Sequence, residues 1–366
     1  MKQLFLVAVL ATCIGTSHAD VPTVNPAQHS GGLAFNYKNA IFEPSKTVLP
    51  LPKKELSWTD KTIAIKAEQL IDSNPTTAIL LVDKGKIVFE KYKEPANQDS
   101  PLFSQSMSKS LTAYTVGAVF CGGKIDSLDD RAGKYAKTLD GTIFADVSIR
   151  NLLRMSSGTT EPVHAGSHDP KDWLFLRDGT KSIPELLKGK VNVQDKPSGT
   201  YFRYSSTDTF SIAEVAAGVG SPIVSSFEKE IWQKAGTESR GYWLQEKSGR
   251  LMVQSGFSAT ARDWARLAIY TVKALKGDHG SCMQDYMKQA TSSQITNESK
   301  RIGKAFASYG YQTWVGEFGG KPSYWWVGYG GQRVGVDPVS EKIIVVTSWR
   351  EDYMGEVHRL FKEWTQ

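Results

Sequence analysis

"FSQSMSKSLTAYTVGAVFCGG", residues 103–123, opens on polar residues and runs into an apolar stretch whose members Leu111, Tyr114 and Ala118 recur at helical spacing. The spacing predicts a helix bound for the interior, with Ser106 and Lys109 in its first turns. Residues at i and i+3 share a helix face, so the Lys109 amine can reach back to the Ser106 hydroxyl. A serine hydroxyl is a feeble nucleophile until something takes its proton. The helix N-terminus also offers N–H groups and positive dipole to an anion forming there. To act as a base Lys109 must be neutral, which requires a desolvated site; a charged Lys109 would instead stabilise a nearby phenolate that moves the proton.

Ser-x-x-Lys alone is not specific, because Ser226-Phe227-Glu228-Lys229 repeats it within "SSFEKEIWQKAG", which reads as a solvated helix face. Position separates the two. Just upstream of Ser106, "TTAILLVDKGKIVFEKYKE" (76–94) reads as a β-hairpin turning at Asp83-Lys84-Gly85. Downstream, "GTYFRYSSTDTFSIAEVAA" (199–217) puts Tyr204 in a loop before an apolar helix. Alone, such a tyrosine reads as an edge-of-core residue; beside a lysine its phenol can be acidified and shuttle protons. In "YWWVGYGGQRVGVDP" (324–338), Gly330 and Gly331 allow close backbone approach by a substrate, or else form a purely structural bulge. An edge strand there would offer the N–H of Gln332, which with the N–H of Ser106 makes an oxyanion hole. Alternation points Arg333 to the opposite face from Gln332. Of the nearby aromatics, Trp314, Trp325, Trp326 and Phe202 read as core, and Tyr329 as site-facing.

Taken in order, these motifs resemble the serine β-lactamase and penicillin-binding protein superfamily over roughly residues 60–366. The stretches "VSIRNLLRMSSGT", "RYSSTDT", "GFSATARDWARLA", "YGYQTW" and "GYGGQRVGVDP" are similar to the 6-aminohexanoate-dimer hydrolases and class C-like carboxylesterases. The resemblance implies a β-lactamase/transpeptidase-like α+β fold. It also implies Ser106 as acylated nucleophile, Lys109 as its base partner and Tyr204 as catalytic tyrosine. Tyr329-Gly330-Gly331 occupies the substrate-binding place where true β-lactamases have Lys-Thr-Gly. Lys-Thr supplies a cation and a hydroxyl that hold a β-lactam carboxylate; Tyr-Gly supplies neither. Ser206 likewise stands where penicillin-recognising relatives commonly have Asn. The expected activity is therefore hydrolysis of esters or linear amides through an acyl-enzyme. The alternatives are a D-alanyl carboxypeptidase or β-lactamase and, from another class, a non-catalytic penicillin-binding-like sensor.

The chain of 366 residues carries a net charge of +6, dispersed without a Lys/Arg block, which disfavours nucleic acid. No apolar run in its body is long enough for a membrane span. "MKQLFLVAVLATCIGTSHAD" has Lys2, an apolar run over 4–15 and Ser17-His18-Ala19, the pattern of a signal peptide over 1–19. A lipoprotein cleavage before Cys13 is the lesser option. Export to the periplasm or medium follows, with Cys121 and Cys282 left either as a disulfide or as two buried thiols. Residues 20–58 read as an extended arm wrapping the surface, and 59–366 as the catalytic domain. Strands at both chain ends imply one antiparallel sheet, with a mostly helical insert over about 120–300. "SWTDKTIAIKAEQLIDSN" reads as a helix burying Ile63, Ile65, Ala67, Leu70 and Ile71. No metal and no cofactor is called for: His164 and His168 flank Gly166 in a loop without further ligands. The expected partner is a small ester or amide substrate.

Overall fold

The computed structural model describes residues 38–160, 181–189, 191–298, 303–318 and 320–366. The expected leader, residues 20–37 of the expected arm and the His164/His168 pair lie outside these residues. In chain order the strands are β1 (Lys38–Phe42), β2 (Thr76–Asp83), β3 (Lys86–Tyr92), β4 (Leu102–Phe103), β5 (Gly241–Gln245), β6 (Phe257–Ala259), β7 (Ile295–Thr296), β8 (Ser308–Tyr309), β9 (Trp314–Phe318), β10 (Lys321–Gly328), β11 (Gln332–Asp337) and β12 (Lys342–Ser348). The helices that matter below are α1 (Trp58–Ser73), α2 (Ser108–Cys121), α3 (Ile149–Leu153), α4 (Ser206–Gly218), α5 (Ala261–Lys276), α6 (Ser281–Ala290) and α7 (Met354–Thr365).

The hairpin forms as read, β2 against β3, with Lys84 and Gly85 left-handed at its turn. β2 then pairs antiparallel with β12, which joins the two ends of the chain in one eight-stranded sheet ordered β3-β2-β12-β11-β10-β9-β8-β7. Side chains alternate across it. Ile79, Leu81, Ile344 and Val346 face α1 and α7, whereas Leu80, Val82, Ile343 and Val345 face the larger core that holds α2 and α5. Apolar residues on both faces explain why β2 is buried along its whole length.

α1 starts at a capping box: Ser57 Oγ accepts from the Asp60 N–H, and Asp60 accepts from the Ser57 N–H. Lys54 bridges Asp60 and Asp83, tying the helix start to the hairpin tip. Its inner face is Ile63, Ala67, Leu70 and Ile71; Ile65 is 57% exposed, contrary to expectation. Two residues along a helix is about 200° of rotation, so Ile63 and Ile65 cannot share a buried face.

Two further features differ from the expectation. Residues 38–42 of the expected arm form a strand, β1, paired with β5. Together with β4 and β6 they make a second, four-stranded sheet ordered β1-β5-β6-β4 beneath the helical region. Very short strands carry too little alternation to be read from sequence. Cys121 at the end of α2 and Cys282 at the start of α6 are joined in a disulfide, Cα–Cα 5.6 Å, which resolves the open alternative.

Candidate active site

The small sheet sets the start of the helix that carries Ser106. β4 pairs with β6, and the Ser104 N–H continues that pairing to the Phe257 carbonyl at 2.7 Å. Gln105 then turns left-handed, φ 47°. A non-glycine residue held there is uncommon, and it bends the chain sharply out of the strand. A tight turn, Gln105–Met107, follows and runs directly into α2. Ser108 Oγ donates to the Gln105 carbonyl at 3.2 Å and to the Val253 carbonyl at 3.1 Å. Thr112 Oγ1 also donates to Val253, at 3.2 Å. The 252–255 segment thus lies along the first turns of the helix.

Lys109 is 2% exposed, and its Nζ lies 3.1 Å from Ser106 Oγ. The same Nζ donates to the Gln254 carbonyl at 2.8 Å. Ser106 keeps partial exposure. The i,i+3 reading therefore holds: the amine is turned inward onto the hydroxyl, away from solvent. The second Ser-x-x-Lys makes no such pair. Ser226 bonds the Ser221 carbonyl, and the exposed Lys229 pairs with Glu230.

Tyr204 completes the group. Its ring centroid is 5.2 Å from Lys109 Nζ, and it stacks on Trp314 at 5.3 Å. Tyr309 meets it edge-on at 6.2 Å. The loop before α4 that holds it is tied down from three sides. The Arg203 N–H reaches the Met155 carbonyl at 2.9 Å, Ser205 caps α4, and Ser157 Oγ donates to the Asp208 carboxylate at 2.6 Å. Burial pushes the Tyr309 phenol well above its ordinary range, so it remains protonated beside Tyr204.

The turn Tyr329-Gly330-Gly331 joins β10 to β11, with Gly328 opposite Gln332. Gly328 presses against the segment leading to Ser106: a Cβ there would stand 2.3 Å from the Ser104 carbonyl oxygen. Tyr329 projects at the surface, 56% exposed. Two expectations need correction. First, β11 lies between β10 and β12, so Gln332 does not sit on an edge strand. Its side chain is committed to β12, with Nε2 donating to the Ser348 carbonyl at 2.7 Å. Second, the close approach at Gly331 is to the chain itself, since a Cβ there would meet the Arg350 carbonyl oxygen at 2.4 Å. Ser206, which stands in the place of that Asn, is the buried first residue of α4. Trp314, Trp325, Trp326 and Phe202 are core as read, and Trp314 is the floor beneath Tyr204.

Two residues escaped the sequence. Gln254 acts on Lys109 through its main-chain carbonyl, which every residue type carries. Its buried side-chain amide finds no hydrogen-bond partner among the described residues. Gln312, left-handed at φ 50°, joins three helices. It accepts from Thr209 Oγ1, donates from Nε2 to the Leu152 carbonyl and takes Ser110 Oγ on its own carbonyl. Its place inside "YGYQTW" is the one sequence signal it leaves. Among the described residues, no three His, Cys, Asp or Glu side chains could together hold a metal ion, and no single helix is long and apolar enough to cross a membrane.

The Beta-lactamase family profile matches residues 65–362. A 6-aminohexanoate-dimer hydrolase of Paenarthrobacter ureafaciens is 25% identical over 77% of this chain and 75% of its own. A Bacillus anthracis protein assigned to the 6-aminohexanoate-dimer hydrolases superposes with a TM-score of 0.73 at 22% identity, covering 90% of this chain and 89% of that one. A hydrolase with promiscuous acyltransferase activity superposes with a TM-score of 0.66 at 16% identity, covering 84% of this chain and 98% of that one. At these identities the two structures speak to the fold.

Proposed function

The chain belongs to the Beta-lactamase family and is a serine hydrolase, and we propose that it cleaves ester or linear amide bonds through an acyl-enzyme on Ser106. The observation that carries this reading is the buried Lys109 amine 3.1 Å from Ser106 Oγ, with the Tyr204 ring beside it. Ser106 Oγ attacks the substrate carbonyl carbon as its proton passes into the Lys109–Tyr204 pair. The same pair then protonates the leaving alcohol or amine, and the acyl group stays on Ser106. Water then attacks the acyl carbon and gives up a proton to the pair, and the pair returns that proton to Ser106 Oγ as the Oγ–acyl bond breaks and the acid leaves. The oxyanion rests on the Ser106 N–H and on a second main-chain N–H from the 328–332 turn; one such donor is typically worth about 10²–10³ in rate.

Tyr329-Gly330 in place of a cation and a hydroxyl supports esters and small amides over β-lactams. The name of the Paenarthrobacter relative points the same way. A fluorophosphonate probe tests the chemistry: it should label Ser106, and a chain that takes no label there, or labels equally as Ser106→Ala, defeats the reading. Rapid nitrocefin turnover, rivalling simple esters, would favour the lactamase alternative. A stable adduct without turnover would favour the sensor.

Export is part of the same proposal. The charged, apolar and small-residue order of residues 1–19 supports it, and so does a disulfide, which persists in oxidising compartments. N-terminal sequencing of the protein from a secreting host should begin at Asp20. Recovery of Met1 in the cytoplasmic fraction alone would overturn it.

A further inference from the structure

Arg333, the second residue of β11, is 6% exposed, and its guanidinium reaches back beneath the turn that precedes it. Nη1 donates to the Gly328 carbonyl at 2.7 Å and to the Gln332 carbonyl at 2.8 Å, the two strand partners that close the turn. Nη2 faces Glu351 at 3.6 Å, and Nε has no hydrogen-bond partner among the described residues. Buried guanidinium groups usually take a close, forked carboxylate. This one uses its donors on main-chain carbonyls and leaves its carboxylate at a distance.

The Gly328 carbonyl belongs to the peptide whose N–H is that of Tyr329, and in a trans peptide the two groups point opposite ways. Fixing the carbonyl therefore fixes the direction of that N–H. The same stretch of backbone packs on Ser104 and Gln105, directly before the nucleophile. We propose that Arg333 is a positioning residue of the Ser106 site: it holds the plane of the Gly328–Tyr329 peptide beside the nucleophile's turn and keeps a buried positive charge within electrostatic reach of Tyr204. This inference rests on the acyl-enzyme reading above.

The charges involved can be named. Lys109 and the Tyr309 phenol face Tyr204. Glu351 stands against Arg333 at 3.6 Å, and Tyr353, Tyr204 and His358 lie within its electrostatic reach. Burial pulls the Arg333 guanidinium below its ordinary range, with Glu351 opposing, yet arginine stays charged at any working pH. A fixed cation favours the deprotonated form of a neighbouring acid. Removing Arg333 must therefore move the acid limb of the pH–rate profile toward alkali. Removing the Glu351 anion must move it toward acid.

The experiment uses the full purified chain, with fluorophosphonate labelling of the wild type first and then kcat/KM against pH on p-nitrophenyl acetate. Arg333→Met should lower kcat about tenfold and raise the acid limb by roughly half to one pH unit. Arg333→Lys should restore the limb but not the full kcat, because an ammonium is a point charge without the guanidinium fork. Glu351→Gln, at a half-exposed position, should lower the limb and leaves the fold intact, so it decides alone if Arg333→Met does not fold. Limbs that stay where they are, or that shift the same way in Arg333→Met and Glu351→Gln, overturn the inference. An unlabelled wild type overturns the acyl-enzyme reading instead.

Discussion

Gln312 Oε1 accepts the Thr209 hydroxyl at 2.7 Å, and this one bond ties the helix behind Tyr204 to the segment that also anchors α2. On its other side the Gln312 carbonyl takes Ser110 Oγ at 2.5 Å, one residue past Lys109. The phenol and the amine thus owe their separation to a common, fully buried support. Gln312→Ala should cost about 2–4 kcal/mol, because it strands the buried Thr209 hydroxyl and takes from the Leu152 carbonyl one of its donors, leaving the Met155 N–H. At temperatures where the variant stays folded, kcat should fall more than KM rises. Thermal unfolding and ester kinetics on the same sample check both statements.

Lys109→Met separates catalysis from stability. A buried amine gives up its hydration on folding, and methionine fills a similar volume without a polar head. The melting temperature should hold or rise, while ester hydrolysis should fall by about 10²–10⁴, the range for loss of a general base. A variant that loses stability but retains rate would show that the amine is a structural contact.

The Cys121–Cys282 bond closes a loop across 161 residues. A double serine variant should lose about 2–5 kcal/mol in denaturant titration. Its specific activity below the transition should be close to that of the parent, since the bond joins the far end of α2 from Ser106.

His358 predicts how stability responds to acid. It sits on α7 against Phe318 at 4.7 Å, Trp325 at 5.0 Å and Phe306 at 5.6 Å, and its Nε2 has no hydrogen-bond partner among the described residues. Burial, helped by the Arg333 charge, pushes its pKa down from 6.5 to about 3. The folded state therefore holds it neutral while the unfolded state binds a proton below 6.5. Its contribution is complete above that pH and is lost as the pH falls toward 3. The loss amounts to about 1.4 kcal/mol per pH unit, or roughly 2 kcal/mol between pH 6.5 and 5. His358→Phe should flatten that slope in urea midpoints measured across the window.

The legible part of the site was local. Ser106 and Lys109 are three residues apart, so helix geometry alone brings their side chains together once the apolar run fixes the helix. The hairpin at Lys84-Gly85 and the loop before α4 follow the same short-range logic of turn residues and periodicity. The Gln332 expectation failed although both neighbours of β11 are consecutive in the chain, β10 just before it and β12 just after it across residues 338–341. β12 forms a hairpin with β11 and so covers the side that the reading of residues 324–338 left open. Ile65 failed for a simpler reason, an apolar residue set half a turn out of phase with its neighbours.

By itself the sequence determined the elements and the chemistry-bearing pair, because both depend on contacts within a few residues along the chain. Only the tertiary structure decided what surrounds that pair. The Gln254 carbonyl on Lys109, the Trp314 floor under Tyr204 and the Gln312 bridge each join segments a hundred or more residues apart. Several of them act through main-chain atoms that all residue types share. Such contacts exist only once the two chain ends have closed into one sheet, and so no local pattern encodes them.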